Sequence, residues 1–200
     1  MKFLFPLFAI LLFFPFGFSL AGDFQAPSKE EIAKAITTFK FRSQWIHPKI
    51  IAEFRPWESD YSIPLIHSLD VSAATGTNRY FGEIVMDPKT SEPSFKQEDG
   101  TTIAYEWIGK LTNGLHVLVV RNSGGEGSMV ATDLMVFRLK SGMAKSGIKA
   151  NYRQLLLEVV RVINLGDRAI PTIKLKGDKV SIKTEFNGPR KSEVFDLSFD

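Results

Sequence analysis

Residues 101–121 read TTIAYEWIGKLTNGLHVLVVR. At the centre is Asn113-Gly114, a dipeptide that supplies the two positive-φ residues of a type I′ turn. The flanking runs Thr101–Thr112 and Leu115–Arg121 are therefore expected to fold as an antiparallel hairpin with a two-residue loop. That loop sets Thr112 opposite Leu115, Lys110 opposite Val117, Ile108 opposite Val119 and Glu106 opposite Arg121. The last pair is of opposite charge and contributes roughly 0.2–1 kcal/mol. The other face pairs Trp107 with Val120, Gly109 with Leu118 and Leu111 with His116. Both faces are mainly apolar. Such a hairpin belongs inside a sandwich, or between a helix on one side and a sheet on the other, and not at a wet edge.

Toward the C-terminus the two-residue period continues. Met129–Lys140 places Met129, Ala131, Met135, Phe137 and Leu139 on one face and Val130, Leu134 and Val136 on the other. A loop over Ser141–Lys149 leads to Gln154–Leu165. Its Val and Ile content predicts a strand, with a helix as the alternative because Leu155, Leu156, Val159, Val160 and Ile163 also form a helical stripe. A turn at Leu165–Arg168 follows. Thr172–Lys176 and Lys179–Phe186 are expected to pair across Gly177-Asp178, and Asn187-Gly188-Pro189 introduces a last strand, Ser192–Phe199.

Toward the N-terminus, Asp87–Gly100 is rich in polar residues and proline and reads as a long loop, preceded by a strand over Arg79–Met86. A further strand starts near Ile63, with Leu65, His67, Leu69 and Val71 on one face. Ser28 and Glu31 form a capping box, and Ile32, Ile36 and Phe39 follow at helical spacing, so a helix is predicted over Lys29–Lys40. A short helical or extended piece over Lys49–Phe54 ends before Pro56. The expected fold is mainly β (α+β): an antiparallel sandwich or open barrel of about eight or nine strands, with one N-terminal amphipathic helix packed against it.

Residues 1–21 carry one lysine, an apolar run from Phe3 to Phe18 and the exit Ser19-Leu20-Ala21, the pattern of a cleaved export signal. The remainder, 22–200, reads as one domain with no second apolar span. The 200 residues contain no cysteine, which excludes a disulfide framework, a thiolate metal site, a thiol nucleophile and a lipoprotein anchor. A secreted or periplasmic location follows from the leader, and with it a low prior for nucleic acid as partner.

Charge is segregated along the chain. Residues 22–137 are net −4 and residues 138–191 net +9. Within the basic segment, the Gly177-Asp178 loop pairs Lys176 with Lys179, Lys174 with Ser181 and Thr172 with Lys183. Lys174, Lys176, Lys179 and Lys183 thus project from one face, and Ile173, Leu175, Val180 and Ile182 from the other. Lysines directly opposite one another repel unless anionic groups fill the gap, which makes this face the candidate anion-binding surface. The same lysines also suit a solvated strand that resists edge-to-edge pairing.

Other constellations are weaker. Asn122–Ser128 is the most glycine-dense stretch, yet it lacks the Gly-Lys-Ser/Thr ending of a phosphate loop and the Gly-x-Ser-x-Gly elbow of a serine nucleophile. His47, His67 and His116 have no metal-ligand spacing and read as structural. Asp70, Glu83, Glu106 and Asp133 lie on predicted strands, and Trp45, Trp57, Tyr61 and Tyr80 cluster in the N-terminal third. No cofactor, metal or catalytic residue is assigned. The leading expectation is a non-catalytic exported binding domain for an anionic lipid, polysaccharide or protein partner. The alternatives are a hydrolase of envelope or extracellular polymers that uses converging carboxylates, and a structural or assembly partner.

Overall fold

The computed structural model describes residues 25–55, 66–76, 84–124, 129–144, 151–185 and 191–198. The expected export signal at 1–21, Trp57, Tyr61, Tyr80, Glu83, residues 63–65 of the strand expected from Ile63 and residues 79–83 of that expected from Arg79 lie outside the described residues. In chain order the elements are α1 (Lys29–Thr38), β1 (Lys40–Phe41), β2 (Gln44–Trp45), α2 (Pro48–Ala52), β3 (Ser68–Asp70), α3 (Val71–Gly76), β4 (Val85–Met86), β5 (Pro93–Lys96), β6 (Thr102–Lys110), β7 (His116–Ser123), β8 (Val130–Ala144), β9 (Tyr152–Asp167), β10 (Ile170–Lys176), β11 (Lys179–Glu185) and β12 (Lys191–Asp196).

The chain is mainly β. Seven strands form one antiparallel sheet in the order β3-β9-β8-β7-β6-β5-β4, curled into a half-barrel, and β10-β11-β12 form a second sheet of three. One face of the large sheet supplies Tyr105, Leu118, Val120, Met135, Phe137, Leu155 and Leu157 to a cluster that also holds Ile32, Phe39, Ile50, Ile51 and Phe54. Its other face supplies Leu115, Val117, Leu134 and Val136 to a cluster with Val180, Ile182 and Leu197. The hairpin read as buried on both sides is indeed covered on both, and the two-faced division of β8 follows the alternation in its sequence. Tyr105, fully buried, donates its hydroxyl to the Ile46 carbonyl at 2.6 Å, which satisfies the polar end of the ring.

The register of the β6–β7 hairpin differs from the expected one. The loop has three residues: Gly114 N donates to Leu111 O at 3.0 Å, Leu111 N donates to Leu115 O at 2.8 Å, and Gly114 alone in the loop has positive φ, at 90°. This is a type I turn closed by a glycine bulge, in place of a type I′ turn. Lys110 therefore faces His116, one residue away from the expected pairing. A second irregularity between Trp107 and Gly109 shifts the ladder once more, so that Trp107 faces Leu118 and Ala104 faces Arg121. Two single shifts sum to an even number. Because side chains alternate with period two, Trp107, Leu118 and Val120 still share a face, whereas Leu111 joins the opposite cluster. Glu106 faces Val119, yet it reaches Arg121 diagonally at 3.5 Å.

Other boundaries are corrected as well. Asp87–Gly100 contains β5, which pairs with β4 and β6, so local polarity concealed a strand that only its neighbours stabilise. Val71 starts α3 instead of continuing a strand, because the Asp70 carboxylate accepts from the amides of Ser72 and Ala73 at 2.9 and 3.2 Å. Gln154–Leu165 is a strand and runs further at both ends. β8 extends to Ala144, into the segment expected to be a loop.

Candidate functional site

The β10–β11 hairpin is determined locally. Gly177, at φ 60°, takes the left-handed conformation at the first loop position, and strand alternation does the rest. The observed pairs are Lys176 with Lys179, Lys174 with Ser181 and Thr172 with Lys183, each as expected from the loop length. All four lysines are exposed. Val180 and Ile182 are buried on the reverse face against the large sheet.

Strand β12 extends the rows. Asp196 stands opposite Lys179, Val194 opposite Ser181 and Ser192 opposite Lys183. Asp196 accepts from Lys179 Nζ at 3.1 Å and from the Ser198 hydroxyl at 2.6 Å. The Ser198 hydroxyl, the Lys179 ammonium and the Ser198 amide together hold the carboxyl down at about 2. One of the four charges is thereby compensated within the fold. Among the described residues, no carboxylate forms an ion pair with Lys174, Lys176 or Lys183. Along β10, Lys174 and Lys176 are separated by about 7 Å, two residues of an extended strand. Asp196 was missed in the sequence because its partner lies across a ladder of long range. The opposite charges of Lys179 and Asp196 were the available signal.

The small sheet is held in a defined orientation by contacts between loop tips. The Asp178 carboxylate accepts from the Asn113 amide at 2.8 Å and from the Thr112 hydroxyl. Asn113 Nδ2 donates to Leu197 O at 2.7 Å, and Leu197 N donates to Asp178 O at 2.9 Å. Near the other end of β11, a cleft of about 140 Å³ opens between the sheets, lined by Ile163, Asn164, Leu165, Ile182, Thr184 and Glu193.

The histidines occupy separate environments. His67 is exposed, not on an apolar face as expected. His47 precedes α2, and its Nδ1 accepts from the Lys49 amide at 3.1 Å. His116 is fully buried and receives Trp107 Nε1–H at Nδ1, 3.3 Å away. Its proton therefore sits on Nε2, which donates to Ile36 O at 3.0 Å. Burial lowers its pKa to about 4, the Ile36 carbonyl opposes that shift, and the charge of Lys110 adds to it.

Among the described residues, the candidate carboxylates Asp70, Glu106 and Asp133 do not converge on one cleft, and Glu83 lies outside the described residues. Asp133 lies buried in a 2.8 Å ion pair with Arg55 and accepts from Asn164 Nδ2 at 3.1 Å. Asp70 caps α3, with the Tyr152 hydroxyl 3.4 Å from its second oxygen. Glu106 and Glu92 are both engaged by the guanidinium of Arg121, at 3.5 and 2.8 Å. Among the described residues, no cluster of His, Asp and Glu is arranged to hold a metal ion, and no helix is long and apolar enough to cross a membrane. Trp45 packs edge-on to Tyr105, with Lys40 Nζ 4.3 Å above its ring centroid. Most of the glycine-dense stretch, 125–128, lies outside the described residues. The chain matches no protein-family model, no curated protein and no solved structure.

Proposed function

We propose that the protein is an exported, non-catalytic binding domain whose ligand is an anionic component of the cell envelope, taken on the solvent face of the β10–β11–β12 sheet. In this reading the large sheet, with α1 packed on its far side, is the rigid support. The leader at 1–21 delivers the chain out of the cytosol. The observation that carries the reading is the directly opposed pair Lys176 and Lys179, flanked by Lys174 and Lys183 on one exposed face, where Asp196 pairs with Lys179 alone among the described side chains. A surface of that kind attracts extended anions through summed charge, with a strength that falls as salt rises.

The test is charge reversal. The variant carrying Lys174→Glu, Lys176→Glu, Lys179→Glu and Lys183→Glu is compared with the parent for retention on dextran sulfate and on anionic vesicles at low salt. Loss of both supports the reading. Unchanged retention on both overturns it.

A further inference from the structure

The same face carries a second feature that charge does not explain. Ile170 and Val194 are 75% and 63% exposed, and both share the lysine face by register, since Val194 stands opposite Ser181 in the row of Lys174, and Ile170 lies two and four residues before Thr172 and Lys174. Two large aliphatic side chains at the margins of a cationic sheet gain nothing from a soluble polyanion, whose surface offers them only water and charge. At a bilayer they would leave water for the boundary between headgroups and acyl chains, while the lysines meet the lipid phosphates.

From this pairing we infer that the solvent face of the small sheet docks on the surface of an anionic lipid bilayer, with Lys174, Lys176 and Lys183 against the headgroups and Ile170 and Val194 inserted between them. This inference rests on the cationic-face reading and narrows it to one partner. The sheet lies flat on the surface and does not span it. Lys179 contributes least, because Asp196 already holds its ammonium. The Asp178 carboxylate, accepting from the Asn113 amide, joins the tip of this sheet to the β6–β7 loop.

Co-sedimentation tests it with vesicles of phosphatidylcholine alone and with roughly one-third phosphatidylglycerol, at about 20 and 150 mM salt, alongside a dextran sulfate column. Three proteins are compared: the parent, Lys174→Gln/Lys176→Gln/Lys183→Gln, and Ile170→Ser/Val194→Ser, each first shown by circular dichroism and thermal melting to keep the parent fold. The parent is expected to bind only the anionic vesicles. The triple lysine variant is expected to lose about a hundredfold in partitioning, near fivefold per lysine. The aliphatic variant is expected to lose about tenfold on vesicles with its dextran sulfate retention unchanged. Retention on dextran sulfate without vesicle binding, or vesicle binding that survives loss of both aliphatic side chains, overturns the bilayer inference and leaves the cationic face standing. Absence of binding to either anionic probe at low salt overturns both.

Discussion

The Nε2 of His116 lies 3.0 Å from the carbonyl oxygen of Ile36, and this one bond ties the last turn of α1 to the start of β7. With Trp107 donating to Nδ1, the neutral ring has both nitrogens matched and leaves no acceptor for a second proton. In the unfolded chain the imidazole has its ordinary pKa of 6.5, and in the folded protein about 4, so between those values the unfolded state binds more protons. Stability is therefore present above about pH 6.5 and lost as pH falls toward 4, by up to about 3 kcal/mol from this group. Urea titrations at pH 7 and pH 4.5 will show the difference, and His116→Gln should flatten it. An equal acid dependence in the variant would refute the assignment.

Arg55 and Asp133 form a buried pair, with side chains 15% and 2% exposed, that fastens the end of the helical segment to β8. Removing either partner strands the other charge in a poorly hydrated site. Arg55→Ala or Asp133→Ala should each cost about 3–5 kcal/mol in denaturant unfolding, and the double variant should cost clearly less than their sum. Strict additivity would show that the pair is not coupled.

Gly109, next to the irregularity in β6, has φ 151°, and a Cβ placed there would lie 3.0 Å from Leu175 Cδ1 in the small sheet. Gly109→Ala should destabilise by about 1–3 kcal/mol, because the end of the Leu175 side chain must give way and the positive φ is itself strained for a residue with a Cβ. A companion change, Gly100→Ala, meets no neighbouring atom but also sits at positive φ, 84°, so its cost is purely conformational and should be smaller. Thermal melts of the two variants separate steric from backbone effects, and equal costs would argue against the contact with Leu175.

Asp196 restrains Lys179 on the candidate face. Asp196→Asn keeps the shape, removes the negative charge and releases the ammonium, so binding to an anionic probe should rise severalfold at low salt and the gain should shrink as salt screens it. Weaker or unchanged binding would mean that the face is not where the anion sits.

Much of this architecture was legible because it depends on near neighbours. The Ser28–Glu31 capping box is formed as read, with Glu31 N donating to Ser28 Oγ at 3.1 Å and Ser28 N donating to the Glu31 carboxylate at 2.7 Å. The Lys176–Lys179 register likewise follows from a two-residue loop and strand alternation alone. Less legible was the Asn113-Gly114 turn. Its geometry is settled by Leu197 and Asp178, residues more than sixty positions away that bond the Asn113 side chain and amide.

Alternation of apolar and polar residues, by itself, determined that the body is built of strands, that β7 and β8 are covered on both faces, and which lysines share a surface, since period two is a property of the backbone. Only the folded molecule decided the order of strands across the large sheet, the presence of β5 within a polar stretch, the acid opposite Lys179, and the company of Ile170 and Val194 beside the lysines. Those depend on contacts closed over long loops, where the free energy lies in the pairing between segments and leaves no periodic trace in either one.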